Sequence, residues 1–283
     1  LTTTLLASPS NIELYLKEKR ALLETTLAEL VPEQKDLSLF EAARYSLFSP
    51  AKRLRPLLTI LSAETLGANP MHALYPACAI EMLHTYSLIH DDLPCMDDDD
   101  MRRGLPTLHK VYPEGHAVLT GDFLLTYSFE ILSRSPHLTP QQCLELIRSL
   151  TTGAGALGMI GGQALDLTWA RSNVKPSWTE LSQVQSKKTA ALFSSALEMG
   201  AIVANGSESD RSLLVCIGKE IGLAFQIVDD ILDGDGTVAL LGIEQAKELV
   251  QKLHAQVETH LSKLSSSGAL LQAFFEMLVH RVI

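Results

Sequence analysis

The chain has 283 residues, 46% of them apolar and 20% charged; 23 Lys and Arg against 33 Asp and Glu leave a net charge of −10. This composition excludes intrinsic disorder, because enough apolar surface exists to offset chain entropy. The acidic balance argues against general nucleic-acid binding, so any bound anion needs a local basic cluster or a metal ion.

Cys78, Cys95, Cys143 and Cys216 lie far apart and form no CxxC pair, so neither a zinc site nor a disulfide framework is expected. No uncharged apolar run reaches the roughly 18 residues of a membrane span; the nearest, 189–205, is interrupted by Glu198. The Thr/Ser-rich start, 1–10, lacks the basic residues and apolar core of a secretory signal. A chain opening on Leu1 is expected to be trimmed, and a cytoplasmic location is expected, with an organelle stroma as the alternative.

Leucine-rich segments with little alternation predict helices. Leu16, Leu23, Leu27 and Leu30 mark one helical face. Ser38 and Glu41 form a capping-box pattern, as do Ser177 and Glu180, while Thr139-Pro140 with Gln142 adds a proline at the first helical position. Residues 79–90 read as a mostly buried helix ending at Asp91 and Asp92, with Pro94 discouraging its continuation. Asn69-Pro70, Gly104-Leu-Pro106, Ser135-Pro136 and Asn205-Gly206 break the chain into helical lengths. Residues 222–234 form a further helix ending at glycine. About ten helices, essentially no sheet, and one all-α domain over 1–283 are expected.

Six of the ten residues from 91 to 100 are aspartates: Asp91, Asp92, Asp97, Asp98, Asp99 and Asp100. Carboxylates at a helix C-terminus oppose the dipole and are unfavourable there unless cations occupy the place. Hard carboxylate oxygens suit magnesium, which also takes phosphate oxygens and water. His90 beside them reads as a packing residue. A second cluster holds Asp229, Asp230 and Asp233; Asp229 and Asp233, four apart, share a helical face and repel unless a cation bridges them. Two acidic helix ends suggest one cavity with metals between.

Lys52, Arg53 and Arg55 place three cations in four residues. Lys187-Lys188-Thr189 opens another apolar helical run, and His84 lies seven residues before Asp91 on nearly the same face. With Arg102 and Arg103 these could neutralise two diphosphates. No phosphate-binding Gly-rich loop or dinucleotide fingerprint is present.

These residues carry a resemblance to the short-chain trans-isoprenyl diphosphate synthases, nearest to the bacterial-type farnesyl diphosphate synthases (geranyltranstransferases), with plant-type geranylgeranyl enzymes near by. It runs from about Phe40 onward. It rests on Lys52-Arg-Leu-Arg-Pro56, Ser87-Leu-Ile-His-Asp-Asp-Leu-Pro-Cys-Met-Asp97 with Arg102-Arg-Gly104, Gly161-Gly-Gln-Ala-Leu-Asp166, Lys188-Thr189 and Phe225-Gln-Ile-Val-Asp-Asp-Ile-Leu-Asp233. The resemblance implies an all-α fold around a deep central cavity, in a homodimer, and condensation of isopentenyl diphosphate with dimethylallyl or geranyl diphosphate to farnesyl diphosphate. It implies Mg2+, about three ions per site, held by Asp91, Asp97, Asp229 and Asp233 with Asp92 and Asp230 supporting. Lys52, Arg55, His84 and Arg103 would bind isopentenyl diphosphate; Arg102, Lys188, Thr189 and Gln226 would attend the allylic substrate. Tyr86, with small Ser87 beside it, would stop the chain at fifteen carbons. Geranylgeranyl diphosphate is the alternative product.

One departure stands out. The family's polar, lysine-bearing loop after the second cluster is missing, and Asp233-Gly-Asp-Gly-Thr-Val238 passes straight into a helical run. Omission of loop residues from the sequence is the favoured explanation. A class I terpene cyclase and a non-catalytic synthase subunit are the competing readings; the form of the second aspartate motif disfavours the first, and two intact motifs disfavour the second.

Overall fold

The computed structural model describes residues 9–34, 38–170 and 175–280. In chain order these form α1 (Pro9–Leu30), α2 (Ser38–Leu47), α3 (Leu54–Thr65), a 3-10 turn (Pro70–Ala73), α4 (Leu74–Asp91), α5 (Leu108–Val111), α6 (Glu114–Ser133), α7 (Pro140–Ala154), α8 (Met159–Ala170) and α9 (Trp178–Gln185). A π-helical turn (Ser186–Ala190) then leads to α10 (Ala191–Val203), α11 (Glu208–Asp233), α12 (Gly236–Leu241), α13 (Ile243–Leu261) and α14 (Ala269–Val279). The fold is all-α. It has more helices than the ten expected because brief segments such as α5 and α12, of four and six residues, carry too little periodicity to be read from sequence.

The expected helix signals hold where they can be seen. Leu16, Leu23, Leu27 and Leu30 are all buried. Thr139–Gln142 and Ser177–Glu180 both close reciprocal capping boxes at the starts of α7 and α9. Ser38 begins α2, next to residues outside the described set. Residues 1–8 of the Thr/Ser-rich start also lie outside the described residues.

One small sheet was not expected. Two-residue strands β1 (Met101–Arg102) and β2 (Leu105–Pro106) pair antiparallel. Arg103 and Gly104 between them both have positive φ, 54° and 79°. That is the turn whose twist suits a two-residue hairpin, and Gly104 adopts it without steric cost.

α4 and α10 are buried on nearly all sides, which is why neither shows a marked amphipathic stripe. α4 packs on α6 and α3, and α10 on α3, α7 and α11. This central position lets the C-terminal end of α4 open into a cavity walled by α3, α6, α8 and the π-helical turn. No described helix is long and apolar enough to cross a membrane.

Arg53 corrects one expectation. It does not join Lys52 and Arg55 as a phosphate cation. Its side chain is buried, its Nε donates to Glu24 at 2.7 Å and its Nη1 to buried Glu81 at 2.6 Å, and its Nη2 bonds the Leu47 carbonyl. A buried cation needs such partners, and the result fixes the segment before α3 against α1 and α4.

Candidate active site

α4 carries Asp91 as its last residue and Asp92 as its cap. The loop beyond folds back: the Asp97 N–H donates to the Asp91 carbonyl at 2.9 Å and the Asp98 N–H to the Leu93 carbonyl at 3.2 Å. Asp98 adopts φ 54° to make this turn. Asp91 and Asp97 are thereby neighbours. Burial, opposed by Lys188 and reinforced by Asp97 and Asp92, pushes the Asp91 carboxyl up to about 6. A cation placed there would relieve this cost.

Asp92 is buried and accepts two bonds from Arg102, at 2.9 and 2.5 Å, while Arg102 also reaches Asp99 at 2.7 Å. Asp92 thus orients Arg102. Arg103, at the hairpin turn, donates to Ser49 Oγ at 3.2 Å.

On α3 and α4, Arg55 Nη1 donates to His84 Nε2 at 3.2 Å, and the guanidinium lies over the Phe193 ring at 4.6 Å. Burial lowers Arg55 to about 10, and burial together with Arg55, Arg103, Arg53 and Arg102 holds His84 well below its usual value. With Nε2 accepting from Arg55, the neutral imidazole favoured there carries its proton on Nδ1. That Nδ1 and Arg55 Nε are buried donors with no protein partner among the described residues. Lys52 is exposed, its Nζ 5.5 Å from the Phe225 ring centre.

The opposite wall is the π-helical turn. Lys188 Nζ pairs with Asp166 at 2.6 Å and Thr189 Oγ1 donates to Gln226 at 2.9 Å. α8 seats this turn through Gly162, where a Cβ would stand 2.3 Å from the Lys188 backbone nitrogen. Gln226 joins the turn to the second cluster, since its Nε2 donates to Asp230 Oδ1 at 2.9 Å. Asp230 Oδ2 accepts from Gln185 at 2.7 Å and from the Thr237 N–H at 2.8 Å. Asp230 is 4% exposed. All its oxygens are spent on tying α9, α11 and α12 together, so its place is structural support. Asp229 is half-buried and Asp233, the last residue of α11, is exposed.

The cavity is about 510 Å³ and brings together Arg55, His84, Tyr86, Ser87, Asp91, Lys188 and Thr189. The remaining expected residues, Lys52, Asp92, Asp97, Arg102, Arg103, Gln226 and the second aspartate cluster, do not line it. Among the described residues no three ligand atoms of the two aspartate clusters lie within 4.8 Å of one another. Ions there would be completed by water and diphosphate oxygens, which suits magnesium. The donor set, hard carboxylates with a destabilised Asp91, fits that ion.

Tyr86 is 5% exposed, and its ring meets His90 edge-on at 5.6 Å. Its hydroxyl has no partner among the described residues, and burial with Asp91 near by pushes its pKa up to about 12. His90 is a packing residue as expected: Nε2 donates to the Val118 carbonyl at 3.0 Å and the ring rests on Gly121. Sequence reasoning missed Gln163, whose buried amide has no partner among the described residues and lines the cavity, and Gln185 and Thr237, which brace Asp230. Gln163 lies within the Gly161–Asp166 motif. Gln185 and Thr237 have no local signal.

The polyprenyl synthetase family model matches residues 37–255. The chain belongs to the polyprenyl synthetase family. It is 38% identical over 281 residues to a chloroplastic geranylgeranyl pyrophosphate synthase of Capsicum annuum, covering 92% of this chain and 76% of that one. It is 39% identical to geranylgeranyl pyrophosphate synthase 3, chloroplastic, of Arabidopsis thaliana, over 93% of this chain and 79% of that one. Among solved structures, an FPP/GFPP synthase of Zymomonas mobilis superposes with TM-score 0.90 at 40% identity, over 96% of this chain and 100% of that chain. A geranyltransferase of Legionella pneumophila gives TM-score 0.88 at 32% identity, over 96% and 98%. The polyprenyl synthetase chain is a prenyltransferase of the short-chain trans-isoprenyl diphosphate synthase type.

Proposed function

We propose that the protein condenses isopentenyl diphosphate head-to-tail with dimethylallyl or geranyl diphosphate and releases diphosphate. The observation that carries this is one largely apolar cavity on which a destabilised carboxylate, Asp91, and the cations Arg55 and Lys188 converge. Asp91, Asp97, Asp229 and Asp233 would hold the magnesium ions, which when bound supply positive charge to the diphosphate leaving group. Lys188, Thr189 and Gln226 position the allylic diphosphate. Lys52, Arg55, His84 and Arg103 position isopentenyl diphosphate, and Arg102, held by Asp92, attends the allylic substrate. The apolar walls keep water from the allylic cation until the alkene attacks it and a proton is lost. No enzyme nucleophile is needed.

The names of the curated relatives favour a twenty-carbon product, geranylgeranyl diphosphate, over the farnesyl diphosphate expected from sequence. The second reading, a fifteen-carbon product, is supported by the Tyr86 ring on the cavity wall. The chloroplastic relatives support the organelle alternative over a cytoplasmic location. A homodimer is proposed from the resemblance, with sedimentation as its check.

The test is incubation with isopentenyl diphosphate, each allylic diphosphate and magnesium, with chromatography of the products. A twenty-carbon chain is expected. A fifteen-carbon chain establishes the second reading. Cyclic hydrocarbons, or no elongation, overturn the synthase proposal.

A further inference from the structure

A second cavity, about 370 Å³, opens between α13 and α14 and shares no lining residue with the aspartate cavity; His254, Glu276 and His280 are among its walls. One ligand atom from each of His254, Glu258 and Glu276 falls within 4.8 Å of the others. His254 and Glu258 are one turn apart on α13, with Nδ1 3.8 Å from Oε2. Glu276 and His280 are one turn apart at the end of α14. α13 therefore offers an imidazole and a carboxylate one turn apart on one face, while α14 offers Glu276, and His280, its C-cap residue, lines the same cavity outside the 4.8 Å group.

The His254 ring is held in place, stacked on buried Phe275 with centroids 5.5 Å apart and 22° between planes. Glu276 is steadied by Gln272 Nε2 at 3.0 Å. In a tetrahedral zinc site with bonds of ~2.0–2.2 Å the ligand atoms stand about 3.4 Å apart. The His254–Glu258 pair needs to close by only a few tenths of an ångström. Two imidazoles with two carboxylates suit zinc; an all-oxygen set would suit magnesium or calcium, and the absence of thiolate disfavours copper(I). The lack of a CxxC pair bears only on cysteine zinc sites and says nothing of this one.

We propose that His254, Glu258, Glu276 and His280 form a structural zinc site that clips α14 to α13. It is independent of the aspartate centre and of the reaction proposed for it. Binding of zinc to the folded chain alone would stabilise it by mass action.

The test titrates zinc chloride into the full chain in excess magnesium, which occupies the all-carboxylate centre. Calorimetry, thermal unfolding and X-ray absorption at the zinc edge are read together. One zinc per chain, imidazole nitrogens in its coordination shell and a raised Tm are expected. His254→Phe keeps a ring on Phe275 but removes the ligand atom, and Glu276→Gln keeps the side-chain size. Each should weaken zinc binding on the order of tenfold or more and abolish the Tm rise, with magnesium-dependent turnover unchanged. Wild-type affinity in both variants, or a zinc shell of oxygen alone, overturns the proposal. If His254→Phe does not fold, Glu276→Gln decides it alone.

Discussion

At the scale of single residues, Asp91 and Asp230 show how two aspartates at helix ends take opposite roles. Asp91 faces the cavity with its carboxyl pushed up to about 6, a poor place for a charge without a cation. Asp230 is buried among donors from Gln185, Gln226 and Thr237. Asp91→Ala and Asp229→Ala should each lower turnover about a thousandfold or more, because ionisation of the allylic diphosphate depends above all on stabilising the charge that grows on the leaving group. Circular dichroism should show the helical fold intact; near-wild-type turnover in either would refute the metal assignment. His84 supplies a pH dependence. Its folded pKa is depressed by burial and four arginines, while the unfolded imidazole titrates near 6.5. Below that value the unfolded chain binds the extra proton, so the stability contributed by neutral His84 is full above 6.5 and is lost as pH falls. The slope from this one group is about 1.4 kcal/mol per pH unit. Urea unfolding across pH should therefore show a shallower acid limb in His84→Gln than in wild type. Equal slopes would mean that His84 is charged in the fold.

At the scale of elements, the π-helical turn is held where α8 allows no side chain. Gly162→Ala would bring its Cβ to 2.3 Å from the Lys188 backbone nitrogen, and a backbone atom cannot yield cheaply. Overpacking of this kind costs typically 1–3 kcal/mol. The expected outcome is that loss of stability together with a raised KM for the allylic diphosphate, while the KM for isopentenyl diphosphate stays near wild type. Denaturant titration and steady-state kinetics check the two halves separately. The same elements show what sequence could convey. The α1 stripe from Leu16 to Leu30 and the boxes opening α7 and α9 were legible because their signals lie within one or two turns. The β1–β2 hairpin was not, since two residues per strand give no alternation. The aspartate clusters were legible as runs, whereas Tyr86 entered through the family resemblance and not through its spacing. The Gln185–Asp230–Thr237 tie was not: its first pair is 45 residues apart, and glutamine has no spacing that marks it. Arg53 was misplaced for the same reason, because Glu24 and Glu81 lie 29 and 28 residues away.

At the scale of the whole molecule, the cavity runs along α4 from the aspartates past Tyr86, with α6 and α8 as its far walls. The expected polar loop after the second cluster does not intervene. α11 ends at Asp233 and α12 begins at Gly236, with Gly236 pressed so close to Asp230 that a Cβ there would stand 2.4 Å from Oδ2. The depth of the cavity is set by side chains on α4, α6 and α8. Tyr86 is the bulky one beside Asp91. Its ring is fixed by His90, and His90 in turn by the Val118 carbonyl and Gly121, so it cannot swing aside without moving α4 against α6. Tyr86→Ala removes the ring and leaves His90 in place, adding apolar depth where the growing chain would lie. Burying further hydrocarbon there is favourable at roughly 25 cal/mol per Å² of apolar surface. Where wild type stops at fifteen carbons, the variant should consequently make a product at least one five-carbon unit longer; a twenty-carbon product from wild type would mean that Tyr86 is not the stop. Tyr86→Phe, which keeps the ring and loses only the unpartnered hydroxyl, should make the wild-type product. Chromatography of the three products side by side checks this. An unchanged length in Tyr86→Ala would place the floor on α6 or α8 instead, and lengthening in Tyr86→Phe would mean that the hydroxyl, not the ring, sets the stop.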